Sequence, residues 1–183
     1  MKEVYLMTKN VGKLVAAQSA FAPFEIEVKS LDFEIPEIQA PTSIEIAKYA
    51  VTEAFAKFKK PVIREDHSFF IDELGIPGPY MSYIEKSLSI ENLIKILKTL
   101  NNTKAHFELA AAYADSEGDI HEFVYTVPVL LGTEPKGDTS QKWNRLIHFK
   151  NQQRVYAEYN DDEGTEVWNK NYVEIAKLIS KKV

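Results

Sequence analysis

Residues 60–80 read KPVIREDHSFFIDELGIPGPY. A short apolar run, Pro61-Val62-Ile63, leads into the adjacent acids Glu65 and Asp66; a second apolar run follows, and Gly75-Ile76-Pro77-Gly78-Pro79 closes the segment. The pattern predicts strand, acid pair, strand, rigid turn. Two neighbouring carboxylates at the end of a buried strand are costly to desolvate and need a cation, a positive neighbour or a proton. One reading is therefore a site. The other is an exposed charged turn between two strands.

Toward the N-terminus, Val4-Tyr5-Leu6-Met7 is β-prone, Thr8-Lys9-Asn10-Val11-Gly12-Lys13 is polar, and Leu14 to Phe21 is helix-prone. Strand, glycine-containing loop, helix is an order that aims backbone N–H groups and a helix N-terminus at an anion, with Lys13 adding charge. A phosphate is the natural guest, although the P-loop pattern is not met. A solvated turn with Gly12 supplying flexibility is the alternative. Glu25 to Phe33 alternates apolar and charged residues, as a half-buried strand does. Pro36 then stops regular pairing and leaves Glu37 on a rigid loop. Pro41-Thr42-Ser43 opens a helix with a capping box from Thr42 to Glu45 and an apolar stripe of Ile44, Ala47, Val51, Ala54, Phe55 and Phe58. Lys48 lies at the edge of that stripe, with a stem able to cross apolar surface and an ammonium that reaches into a cleft or into solvent.

Toward the C-terminus, Ser89 caps a helix whose apolar face is Ile90, Leu93, Ile94, Leu97 and Leu100. Ala105 to Ala114 and Ile120 to Leu131 read as a hairpin about residues 115–119. A polar loop from Pro135-Lys136-Gly137 leads to Trp143, Arg154 to Glu158 reads as a short strand, and a last helix starts near Val167 with Tyr172, Ile175, Ala176 and Ile179 buried. The fold class is mixed α/β. His106, His121 and His148 show no ligand-like spacing, whereas His67 sits beside the acids and faces either a cleft or the core.

With 183 residues and 45% hydrophobic content, the chain is long enough for a single domain over 1–183. A net charge of −5 with scattered basic residues argues against nucleic acid as a partner. The absence of cysteine removes disulfides, thiolate metal ligands and cysteine nucleophiles. No segment approaches the ~20 apolar residues of a membrane span, so no membrane partner and a cytoplasmic location are expected.

Thr8 to Lys13, Ile35-Pro36-Glu37-Ile38-Gln39, Ile46-Ala47-Lys48, Pro61 to Asp66 and Ile76-Pro77-Gly78-Pro79-Tyr80 stand in an order and spacing that resembles the inosine triphosphate pyrophosphatase family. The match continues through Pro135-Lys136-Gly137, Trp143 and Tyr156-Ala157-Glu158, and so spans nearly the whole chain. The resemblance implies an elongated mixed α/β fold with a long central sheet, two lobes around a cleft, and a homodimer. It implies hydrolysis of non-standard nucleoside triphosphates to monophosphate and pyrophosphate with Mg²⁺. Thr8, Asn10, Lys13 and Lys48 would hold the triphosphate. Glu37 would bind the metal, Glu65 and Asp66 would complete its site, and Asp66 would activate water.

The departures fall on the base side. The family's phenylalanine before the tryptophan and aspartate after it are here Gln141 and Asn144. Its Ser-His-Arg signature falls at Trp168-Asn169-Lys170, and the lysine ahead of it at Gly164. A phosphate-contacting lysine position falls near Ser82, and His67 stands where a small residue is preferred. Asn144 can donate where aspartate only accepts, and Asn169-Lys170 lacks the planar fork of arginine. The expectation is an enzyme that keeps phosphate and metal chemistry while Trp143, Asn144, Asn169 and Lys170 read a different base, including pyrimidine or modified triphosphates as in the related septum-associated pyrophosphatases. The alternative is a catalytically weak relative that binds a nucleotide or a protein.

Overall fold

The computed structural model describes residues 2–36, 38–160 and 165–181. Its first half repeats strand and helix. Strand β1 (Lys2–Leu6) is followed by helix α1 (Val11–Phe21), β2 (Ile26–Ser30), α2 (Ser43–Phe58) and β3 (Val62–Ile71). β1 pairs in parallel with β2 from Lys2↔Ile26 to Leu6↔Ser30, and in parallel with β3 at Tyr5↔Val62 and Leu6↔Ile63. Strand alternation then sends neighbouring side chains to opposite faces. Val4, Leu6, Val28 and Ile63 meet Ala17, Ala20 and Phe21 of α1, while Met7 and Val62 meet Ala47, Ala50, Val51 and Ala54 of α2. The two helices therefore cover opposite faces of the sheet, α1 over β1, β2 and β3 and α2 over β1 and β3.

The remaining elements are β4 (Ile76–Gly78), α3 (Met81–Ser87), α4 (Ile90–Leu97), β5 (Lys104–Ala114), β6 (Ile120–Leu131), β7 (Ile147–Phe149), α5 (Thr165–Trp168) and α6 (Lys170–Lys181). The strands pair in the order β2-β1-β3-β5-β6-β7, with β4 antiparallel to β3. The architecture is mixed α/β, a central sheet with flanking helices. Among the described residues no helix is long and apolar enough to cross a membrane.

The chain forms two compact units. The first comprises Met1–His67, Leu109–Tyr125 and Gly164–Val183. In it α6 lays Tyr172, Ile175, Ala176 and Ile179 on the α1 side of the sheet. Gly118, at φ 93°, turns the β5–β6 connection where a Cβ would come within 2.5 Å of the Phe55 ring, so glycine is required there for space as well as backbone. The second unit comprises Ser68–Glu108 and Thr126–Glu163. Its core holds Phe69, Leu93, Leu97, Trp143, Leu146, Ile147 and Val155.

Several expectations need correction. The acid pair lies inside one continuous ten-residue strand, β3, instead of between two strands; the partners of Glu65 make that interior position tolerable. The turn falls at residues 72–75, ahead of the proline-rich segment, which forms β4. α1 starts at Val11, so Gly12 and Lys13 lie in its first turn and not in a loop. Arg154 to Glu158 contributes a single bridge, His148↔Val155, before a 3₁₀ turn. The last helix is interrupted at Asn169, which divides α5 from α6. α3 and β7, both short, were not anticipated.

Candidate active site

The first site element is the chain leaving β1. Thr8 Oγ1 accepts a hydrogen bond from Asn10 N at 3.0 Å, and Asn10 Oδ1 accepts from Lys13 N at 3.2 Å, which makes Asn10 the N-cap of α1. An asparagine in extended backbone satisfies one of the orphan N–H groups of the first turn and retains its own Nδ2 donors. Gly12 fits because a Cβ there would press on Asn10 Oδ1 at 3.2 Å. The helix N-terminus and the end of β1 thus meet at the carboxyl end of parallel strands. The chain leaves β1 for a helix on one face, and β2 for a helix on the other, which is the switch point where open α/β sheets bind ligands.

Lys13 and Glu65 join the wall. Lys13 Nζ donates to the Glu65 backbone carbonyl at 3.1 Å and lies 3.7 Å from Glu65 Oε2. Tyr172 donates its hydroxyl to the same Oε2 at 2.8 Å, and His67 Nε2 lies 3.0 Å from it, within ion-pair distance but without a well-directed hydrogen bond. Glu65 is only 4% exposed. Burial alone raises the pKa of its carboxyl, yet His67, Lys13 and Tyr172 outweigh burial and hold it below the ordinary value. Burial lowers the pKa of Lys13, against the pull of Glu65 and Asp66, and drives the Tyr172 hydroxyl well above its usual pKa. Glu65 Oε1 is buried and has no hydrogen-bond partner among the described residues.

Asp66 is the next residue along β3, so strand parity turns it to the opposite face from Glu65. Both line a cavity of about 540 Å³ together with Thr8, Asn10, Lys13 and Arg64. Asp66 on the cavity wall is an oxygen donor of the kind a hard divalent cation takes, but among the described residues no group of three or more His, Asp or Glu side chains gathers to hold one. Lys9, also on the wall, is held by Glu34 and lies 3.9 Å from Asp32.

Five of the residues expected at a site, Thr8, Asn10, Lys13, Glu65 and Asp66, thus converge. Glu37 lies outside the described residues, as does Gly164. Lys48 is not on this cavity wall; its Nζ pairs with Glu122 at 2.6 Å on the surface. Trp143 is 1% exposed, with Nε1 donating to Leu88 O and its backbone N to Glu85 Oε1. Asn144 Nδ2 reaches Gln141 Oε1 at 3.5 Å. Trp168 stacks on His67 with ring centroids 5.8 Å apart, Asn169 Oδ1 is buried without a hydrogen-bond partner among the described residues, and Lys170 is exposed. His67 therefore faces the Glu65 side of β3, and His106 and His121 pair with Asp72 and Asp115. Arg64 and Tyr172 were missed as site residues. Parity with Asp66 points to the first; nothing local marks the second, which arrives from residue 172 of the chain.

A sequence model of the Ham1 family matches residues 4–170. A dITP/XTP pyrophosphatase of Ignicoccus hospitalis is 31% identical over 183 residues, covering 98% of this chain and 97% of that one. One from Thermococcus kodakarensis is 32% identical over 158 residues, 86% of this chain and 85% of that one. The structure of a HAM1 protein from Coxiella burnetii superposes with a TM-score of 0.82 at 19% identity, over 99% of this chain and 100% of that one. The Staphylococcus aureus Ham1 protein gives 0.81 at 17% identity, over 100% of both chains, and at such identities the likeness speaks for the fold. A family match across most of the chain, together with a relative above 30% identity along nearly its full length, shows that this chain belongs to the Ham1 family.

Proposed function

We propose that this chain is a Mg²⁺-dependent nucleoside triphosphate pyrophosphatase, in which water attacks the substrate to yield nucleoside monophosphate and pyrophosphate. The observation that carries this reading is the gathering of Thr8, Asn10, Lys13, Glu65 and Asp66 on one cavity at the carboxyl end of β1. Curated relatives named dITP/XTP pyrophosphatase support the reaction class. The Thr8 hydroxyl, Asn10 Nδ2, Lys13 ammonium and α1 N-terminus hold phosphate oxygens. Glu65 keeps Lys13 in place from a buried position. Asp66 accepts the proton of the attacking water, a role worth about 10² to 10⁴ in rate. Glu37 and Asp66 would hold Mg²⁺, which when bound neutralises charge on the phosphates and on the departing pyrophosphate.

The substrate base differs from hypoxanthine and xanthine, since Gln141, Asn144, Asn169 and Lys170 offer a different set of donors and acceptors. The chain works as one catalytic domain in the cytoplasm and as a homodimer, an assembly that rests on family resemblance alone.

The test is pyrophosphate release from ITP, XTP, dUTP, UTP, CTP, GTP and ATP, with and without Mg²⁺, for the wild type and Asp66→Asn. Metal-dependent release that collapses in the variant supports the enzyme. The second reading, a weakly active nucleotide-binding relative, is favoured by two observations: Lys48 is paired away with Glu122, and Trp143 is buried. No release from any triphosphate, with nucleotide binding still seen by calorimetry, would establish it instead.

A further inference from the structure

We propose that Tyr172 is a positioning residue of the phosphate site: its hydroxyl takes up part of the Glu65 charge and so leaves the Lys13 ammonium available to an anion in the cavity. The proposal rests on the reading of that cavity as a triphosphate site. Tyr172 stands near the start of α6 and is fully buried, in the core cluster that also holds Leu6, Ala17, Phe21 and Ile63. The ring alone would fill that place. The hydroxyl adds something a core does not need, a donor 2.8 Å from Oε2 of a carboxylate whose side chain is 1% exposed.

The distances around Glu65 show what that donor does. Oε2 accepts from the Tyr172 hydroxyl and has His67 Nε2 at 3.0 Å, whereas Lys13 Nζ stands off at 3.7 Å. Lys13 donates instead to the Glu65 backbone carbonyl, at 3.1 Å. An ammonium has three donors, and that bond spends one of them. Lys13 is therefore tethered to β3 by a neutral carbonyl and drawn toward the carboxylate without closing on it. The pull between the two charges grows as distance and local dielectric fall. Without the Tyr172 hydroxyl, a buried carboxylate oxygen loses its closest donor, and Lys13 is a cation placed to replace it. Closing the 3.7 Å gap turns the ammonium toward the interior and away from the cavity, whose wall it shares with Thr8 and Asn10. A phosphate in the cavity then loses a cation although no residue touching it has changed.

The competing role is structural, with the hydroxyl serving only to fasten α6. A double-mutant cycle separates the two. Wild type, Tyr172→Phe, Lys13→Met and the double variant are titrated with pyrophosphate by calorimetry, and their thermal midpoints are measured alongside. Ile175→Val is the control, since it thins the same buried face of α6 and leaves every donor to Glu65 in place. Tyr172→Phe is expected to weaken pyrophosphate binding by about three- to tenfold, and to raise KM for the preferred triphosphate by a similar factor with kcat near that of the wild type. In the Lys13→Met background the same substitution should weaken binding no further, and Ile175→Val should lower the midpoint at wild-type affinity. Unchanged affinity in Tyr172→Phe, an equal loss with and without Lys13, or an equal loss in Ile175→Val would each overturn the proposal. If Tyr172→Phe does not fold in buffer, it is measured with trimethylamine oxide, an excluded osmolyte that strengthens burial. Failure to fold there as well makes the hydroxyl a folding element and overturns the proposal. A wild type that binds no pyrophosphate would sink the triphosphate reading and this proposal together, which distinguishes that failure from the loss of Tyr172 alone.

Discussion

Residues 8–13 with 64–66 and residues 141–145 carry polar side chains on opposite terms. In the first region the internal bonds are spent on positioning: Thr8 on Asn10 N, Asn10 on Lys13 N, Lys13 on Glu65 O, Arg64 on Met7 O. The bonds of Thr8, Asn10 and Lys13 leave donors or charge at the cavity wall. In the second region the bonds hold a core. Trp143 is buried and tied through Nε1 to Leu88 O, and Lys142, at φ 44° and ψ −122°, takes a backbone conformation that costs a side-chain-bearing residue ~1–3 kcal/mol. The difference teaches that an aromatic at a recognisable spacing does not by itself present a stacking face. A capped helix start beside a strand end does present an anion site, because its geometry leaves N–H groups unspent.

The comparison breaks most sharply at Asp66. Asp66→Asn should cost about 10² to 10⁴ in kcat with little change in thermal midpoint; loss of folding without loss of specific activity would remove Asp66 from the chemistry. Lys13→Met should lower kcat/KM by about 10²- to 10³-fold, and an unchanged KM for triphosphate would argue against a phosphate contact. Tyr172→Phe removes a hydrogen bond to a buried carboxylate and should destabilise by about 1–3 kcal/mol. That corresponds to a fall of roughly 2–12 °C in thermal midpoint at about 2–4 °C per kcal/mol. Trp143→Phe sharpens the contrast, since it should lower stability by about 1–3 kcal/mol while leaving the order of preferred bases unchanged. A reordered base panel would return the indole to substrate recognition.

The smallest effect is in acid. The Glu65 pKa is lowered in the folded state, so its stabilising contribution is present above its unfolded value of about 4.3 and is lost as pH falls through the lower folded value. Glu65→Gln should therefore flatten the acid limb of a stability curve below about pH 4.3. An acid limb parallel to that of the wild type would show that the carboxylate is not held by its neighbours.

Much of the fold was legible because its signals are local. Thr42 and Ser89 cap α2 and α4 where a side-chain oxygen precedes an apolar period, and the five residues between β5 and β6 force a hairpin. Asn10 escaped recognition as a cap because Gly12 disguised the first turn of α1 as a loop. Arg154 to Glu158 has the composition of a strand, but only Val155 finds a partner, at His148. A bridge depends on what lies opposite, and composition does not carry that.

The sequence by itself determined the order of the longer strands and helices, the family, and the polar residues beside the end of β1, since capping, alternation and motif spacing are properties of neighbours along the chain. Tertiary structure alone decided which of those residues act together. It buried Glu65 among Lys13, His67 and Tyr172, turned Asp66 and Arg64 to the other face of β3, and paired Lys48 with Glu122. The physical reason is that desolvation and charge pairing depend on distances between residues far apart in the chain, and Tyr172 and Glu65 are 107 positions apart.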